Sequence, residues 1–99
     1  MIVVAGKVRI KPERRQAAID AALRMQQATQ AEAGCVAYHF YASLEDPNLF
    51  FVFEEWESEK ALERHFQTAH MEAFQRQLPE FLDGEIRIKQ YVIASSSGL

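Results

Sequence analysis

An α+β domain is predicted by three features of the chain: strand-like alternation at both ends, a helical apolar stripe after the first strand, and two aromatic-rich runs in the middle. The 99 residues fit one domain, and 48% hydrophobic with 11% aromatic residues is ample for a packed core. A domain this short leaves roughly a third of its unfolded-chain surface exposed. An apolar sheet face left over would therefore need cover, most simply from a second copy.

From Ile2 to Ile10 the residues Ile2, Val4, Gly6, Val8 and Ile10 alternate with Val3, Ala5, Lys7 and Arg9, giving one apolar and one mixed face. Pro12 suits a first helical turn and Gly34 a stop, which frames a helix from about Pro12 to Ala33. Ala18, Ile19, Ala22, Leu23 and Met25 share one side of it. Gln26 and Thr29 project in the same sector, either towards a cavity beneath the helix or along a solvated edge.

The runs Cys35–Tyr41 and Leu49–Trp56, separated by Leu44-Glu-Asp-Pro-Asn48 with its Asp-Pro-Asn turn chemistry, read as a hairpin. Period-2 alternation sets Val36, Tyr38 and Phe40 on one side, and separates Phe51, Phe53 and Glu55 from Val52, Glu54 and Trp56. Ser58 can cap a helix carrying the apolar line Leu62, Phe66, Ala69 and Ala73, with Thr68 able to cap a second segment. After the turn-like Asp83-Gly84, the run from Glu85 to Ile93 alternates again. Residues 1–94 thus form the expected domain and 95–99 a mobile or partner-bound tail.

The order β-α-β-β-α-β fits the ferredoxin-like motif, an antiparallel sheet with its helices on one side. The bare side would carry Phe or Trp side chains, so a face-to-face homodimer is expected. Burying about 600 Å² of apolar surface per protomer would contribute on the order of 15 kcal/mol gross, before the costs of association. A solvated mixed face is the alternative, with Lys7, Arg9, Arg87 and Lys89 paired to Glu54 or Glu55.

A net charge of -3, from 11 basic and 14 acidic residues, leaves no stripe for a phosphate backbone, so nucleic acid is not an expected partner. Met1-Ile2-Val3-Val4-Ala5 lacks the cationic lead and apolar length of a signal peptide or membrane span, and the expectation is a cytoplasmic protein. Cys35, the sole cysteine, reads as a small buried hydrophobe. Neither a Gly-rich phosphate loop nor a Ser/His/Asp order is present.

Glu32-Ala-Gly-Cys-Val-Ala-Tyr38, Glu45-Asp-Pro47, Phe53-Glu-Glu-Trp-Glu-Ser58, Ala61-Leu-Glu-Arg-His65 and Thr68-Ala-His-Met-Glu-Ala-Phe74 occur in that order. Together they resemble the antibiotic biosynthesis monooxygenase family, in particular its small quinol monooxygenase-like members, over about residues 2–93. The resemblance implies a dimeric α/β barrel and oxygenation of hydroquinones or polyphenols without metal or flavin. Related enzymes on this fold degrade haem or isomerise a sugar phosphate. The first strand has no Asn, His65 stands at the helical tryptophan position of the haem enzymes, and Gln75 stands about where their iron ligand would be, which disfavours haem.

A cofactor-free oxygenase needs a base, a stabiliser for the substrate anion and a water-poor pocket. His65 and His70 are the candidate catalytic bases, each with an alternative reading as a packing or capping residue. Proton transfer from a phenol near pKa 10 to a histidine near 6.5 is uphill by roughly 5 kcal/mol, so aligned donors from Tyr38, Trp56 or Gln26, or a second charged histidine, would have to assist. Phe40, Phe53, Phe66 and Phe74 are candidate substrate walls. Glu54 and Glu55 point to opposite faces, one inward and hydrogen-bonded or salt-bridged and the other at the rim. His39, His65 and His70 include no His-x-x-x-His pair, and the resemblance implies no metal. The leading expectation is a monooxygenase for a small hydroxylated aromatic and O2. The alternatives are a cofactor-free isomerase and a noncatalytic dimeric ligand-binding module.

Overall fold

A computed structural model describes residues 1–99 of the chain. It runs β1 (Ile2–Ile10), a 3-10 turn (Pro12–Arg14), α1 (Arg15–Gln30), β2 (Cys35–Ala42), β3 (Leu49–Trp56), α2 (Glu59–Phe66), α3 (Ala69–Phe81) and β4 (Leu82–Val92). The sheet order is β2-β3-β1-β4 with every neighbouring pair antiparallel. This is the ferredoxin-like arrangement: β3 is inserted between β1 and β2, and the helices pack on one face. No helix is long and apolar enough to cross a membrane.

Period-2 alternation in β1 works as the sequence predicts. Ile2, Val4, Val8 and Ile10 are buried beneath the helices, while Lys7 and Arg9 face away. One core cluster joins Ile2 and Val4 to Met25, Tyr38, Val52, Trp56 and Leu62; a second joins Val8 and Ile10 to Ala18, Ala21, Phe50 and Phe81.

α1 stops at Gln30, short of Ala33, because the chain must turn back towards the sheet through Gly34, whose φ is +83°. A Cβ on Gly34 would lie 2.5 Å from that of Ala61, so glycine also lets this turn lie against α2. The buried side of α1 carries Ala18, Ala21, Ala22, Met25 and Thr29, while Leu23 turns outward. Two glutamines of α1 reach the open edge of β2. Gln26 Oε1 accepts the Phe40 N–H at 2.9 Å, and Gln30 Nε2 donates to the Tyr38 carbonyl at 2.9 Å. Groups that would otherwise template strand addition are thereby satisfied.

Ser58 and Thr68 accept from the Ala61 and Met71 N–H groups, capping α2 and α3 as expected. The predicted apolar line through Phe66, Ala69 and Ala73 is not the inner side, since all three are exposed. The recap at Thr68 breaks the helical phase there. Beyond it the inner side follows Met71, Phe74, Leu78 and Phe81. Asp83-Gly84 is likewise not a turn. α3 passes directly into β4, and Asp83, Gly84 and Glu85 stand opposite the single residue Arg9 as a bulge, with Gly84 at φ +106°.

Neither the inward-facing Glu54 nor the outward-facing Glu55 pairs with the basic residues of the outer face. Arg9 instead pairs with Asp46 in the β2–β3 turn at 2.6 Å. Asp46 also accepts the Asn48 N–H, and that bond, then Arg9, holds its carboxyl below its ordinary value. The mixed face carries Tyr41, Phe51 and Tyr91 exposed, alongside Lys7, Arg87 and Lys89.

β4 is secured mainly by β1, and the two backbones approach so closely that a Cβ on Gly6 would collide with the Arg87 carbonyl and the Ile88 backbone. Gly6→Ala should therefore destabilise the fold by at least about 1–3 kcal/mol, the usual cost of overpacking. Urea denaturation checks this, and an unchanged midpoint would contradict the close packing.

Candidate functional site

The alternation of β3 turns Val52, Glu54 and Trp56 towards the helices and Phe51, Phe53 and Glu55 away from them. An acidic residue is thus forced into an apolar row. Glu54 is only 7% exposed, and its Oε1 accepts a hydrogen bond from the Trp56 indole N–H at 3.0 Å. Burial pushes its carboxyl up to about 7, outweighing the Trp56 bond, which favours the charged form; the Glu32 charge adds to the rise.

Glu54 borders a cavity of about 200 Å³ between the sheet and helices α1 and α3. Phe50, Val52 and Tyr38 lie on the sheet side, Phe74 and Leu78 on the α3 side, and Ile86 and Ile88 come from β4. Tyr38 and Phe40 meet edge to face with centroids 5.6 Å apart, and Phe40 meets Phe74 at 5.9 Å. The Tyr38 phenol is driven upward by burial, then by the Glu54 and Glu32 charges, so it remains protonated and able to donate. Glu54 is the only carboxyl in this lining, and Gln75 offers the only side-chain amide. The result is an apolar slot with one acid of near-neutral pKa and one phenol.

Behind the cavity lies a second polar group. His65 Nδ1 from α2 and His70 Nε2 from α3 both lie 2.7 Å from the same oxygen, Glu32 Oε2, in the turn before β2. A carboxylate only accepts, so both of these ring nitrogens carry protons. His65 is 1% exposed, and its ring packs on Trp56 with centroids 4.8 Å apart. Burial lowers its pKa, opposed by the Glu32 hydrogen bond and charge and reinforced by His70, which favours a neutral ring. Thr29 is fully buried in the same half of the core, and its hydroxyl has no hydrogen-bond partner.

Of the residues singled out in the sequence, Tyr38, Phe40 and Phe74 line the cavity. His65 and His70 do not. His70 borders a shallow depression between α1 and α3, and His65 sits behind Tyr38 and Trp56. Trp56 is completely buried and reaches the cavity only through its bond to Glu54. Phe53 faces the opposite side of the sheet, beside Ala5 and His39. Phe66 is half exposed because it lies about a quarter-turn from the face that buries Ala61, Leu62 and His65. Gln26 is engaged at the β2 edge, in a separate groove.

Sequence reasoning places one of Glu54 and Glu55 inward and hydrogen-bonded, as Glu54 is, but does not include Glu54, Gln75, Met71 or the β4 isoleucines among the pocket residues. For Glu54 the signal was present: it shares an inward row with Val52 and Trp56. For Ile86 and Ile88 no local pattern says that a cavity wall lies there.

The model of the family described as antibiotic biosynthesis monooxygenase matches residues 1–77. An uncharacterized protein of Synechocystis sp. is 35% identical over 98 residues, spanning 99% of this chain and 67% of that protein. The probable quinol monooxygenase YgiN of Escherichia coli is 32% identical over 104 residues, spanning 91% of this chain and 97% of that one. The crystal structure of a conserved protein from Methanosarcina mazei aligns with a TM-score of 0.86 and 33% identity, covering 91% of this chain and 89% of that one. The family match takes in β1 through most of α3, the likeness to the Synechocystis protein takes in nearly the whole chain, and the chain belongs to the antibiotic biosynthesis monooxygenase family.

Proposed function

We propose that the chain is a cofactor-independent monooxygenase that oxidises a small hydroquinone or polyphenol with O2, with Glu54 as its base. The observation carrying this reading is a single carboxyl of pKa about 7 in a cavity whose other walls are apolar apart from the Tyr38 phenol and the Gln75 amide. Its likeness to a probable quinol monooxygenase supports the substrate class. A flat aromatic ring suits the walls formed by Phe40, Phe74 and the isoleucines.

The chemistry begins with ionised Glu54 taking the proton of a substrate hydroxyl. From a phenol near pKa 10 this is uphill by about 3 units, or roughly 4 kcal/mol, less than for a histidine of lowered pKa. The Tyr38 hydroxyl can donate to the resulting oxyanion. The electron-rich anion then passes an electron to O2, and the two recombine as a ring hydroperoxide. Loss of water leaves a hydroxylated quinone: one oxygen atom remains in the product and the other departs as water. His65 acts at one remove in this reading, by packing the indole that holds Glu54.

The reading includes a homodimer formed through the outer sheet faces, supported by the exposed Tyr41, Phe51 and Tyr91 on that side. Sedimentation should give a dimer, and Phe51→Glu should shift it towards monomer; a monomeric wild-type protein would count against the pairing.

Oxygen uptake with a panel of hydroquinones tests the activity. Wild-type rates should rise with pH through about 7, because the base works only when ionised, and Glu54→Gln should lower them by about 100-fold or more. His65→Ala should have a smaller effect than Glu54→Gln. A Glu54→Gln variant as active as wild type would remove the proposed base, and turnover without oxygen consumption would indicate isomerisation instead.

A further inference from the structure

Glu32, His65 and His70 present one carboxylate oxygen and two imidazole nitrogens, all within 4.8 Å of one another. They come from three elements: the turn after α1, the last turn of α2 and the first turn of α3. The spacing rule that argued against a metal concerned two histidines on one helix. Here the Thr68 recap starts a new helix between them and redirects the second ring towards the first.

We propose that Glu32, His65 and His70 form a binding site for a divalent transition-metal ion of the zinc or cobalt type, separate from the cavity and independent of the oxygenase reading. Two imidazoles and one carboxylate are a donor set that such ions take in tetrahedral sites, with a remaining position open to water. Ligand bonds of about 2.0–2.1 Å in tetrahedral geometry set donor atoms about 3.3–3.4 Å apart, so the imidazole nitrogens must close by about 1.5 Å from their separation of up to 4.8 Å while the Glu32 oxygen backs off from its 2.7 Å contacts. His70 has the room to move, being 28% exposed, whereas His65 is enclosed in the core at 1%. Each imidazole would give its lone pair at the nitrogen now bonded to Glu32, its proton moving to the other nitrogen of the same ring. Glu32 would turn from acceptor to third ligand. The ion would tie the α2–α3 joint to the turn before β2, directly behind Trp56.

Trp56 supplies a built-in probe, since it is the only tryptophan and its ring centroid lies 4.8 Å from that of His65. Co2+ titrated into chelator-treated full-length protein should quench Trp56 emission stoichiometrically and saturably, with visible d–d bands of a tetrahedral site. Zn2+, which has a filled d shell, should displace Co2+ and restore the emission. His70→Gln and Glu32→Gln, each confirmed folded by its melting curve without metal, should weaken binding by at least about 100-fold, since even outer-shell changes cost about 10–100-fold. His39→Gln, on the outer sheet face, should titrate as wild type. Absence of saturable quenching, or wild-type titration by both folded site variants, would overturn the site.

Discussion

The hydrogen bond between the Trp56 indole and the buried Glu54 carboxyl is the constraint around which this half of the molecule is arranged. Both residues lie on the inner row of β3, two positions apart, so the strand's own pleat delivers donor and acceptor to one side. Trp56 is held in turn by the core and by the His65 ring, and His65 by Glu32. A chain of contacts therefore leads from the turn before β2, through α2, to the carboxyl that faces the cavity.

That arrangement costs stability. The unfolded chain ionises Glu54 near its ordinary value of 4.5, whereas the folded chain does so near 7. The stability associated with keeping the group protonated is fully present below about 4.5 and is lost as pH rises through about 7. At neutral pH and above the loss is on the order of 3 kcal/mol, a large fraction of what a small domain has in reserve. A fold selected only for stability would place an apolar residue here. The role of base proposed for Glu54 needs the opposite, and the Trp56 donor keeps the ionised form within reach.

The fold was readable because its determinants are local. Alternation in β1 and β3, the Asp46-Pro47-Asn48 turn and the caps at Ser58 and Thr68 each express themselves over a few residues, and the element order then limits the topology. The misread points involve competition between levels. Gly34 ended α1 early to fit against Ala61, Asp83-Gly84 became a bulge because α3 already supplied the reversal, and a recap reset the phase before Ala69 and Ala73. The site was legible only in part. Histidines attract attention by residue type, but which way a ring points depends on tertiary packing, and Glu32 drew both rings together behind the cavity. Glu54 was visible in its inward row, yet its raised pKa comes from burial under two helices that no local pattern measures.

The central claim, a cavity carboxyl tuned by burial to near-neutral pKa, is tested most directly by isotope-edited NMR of the Glu54 carboxyl carbon across a pH titration. The account predicts a midpoint near 7, moving upward in Trp56→Phe as the donor to the charged form is lost. A midpoint at the ordinary glutamate value of 4.5 would contradict it.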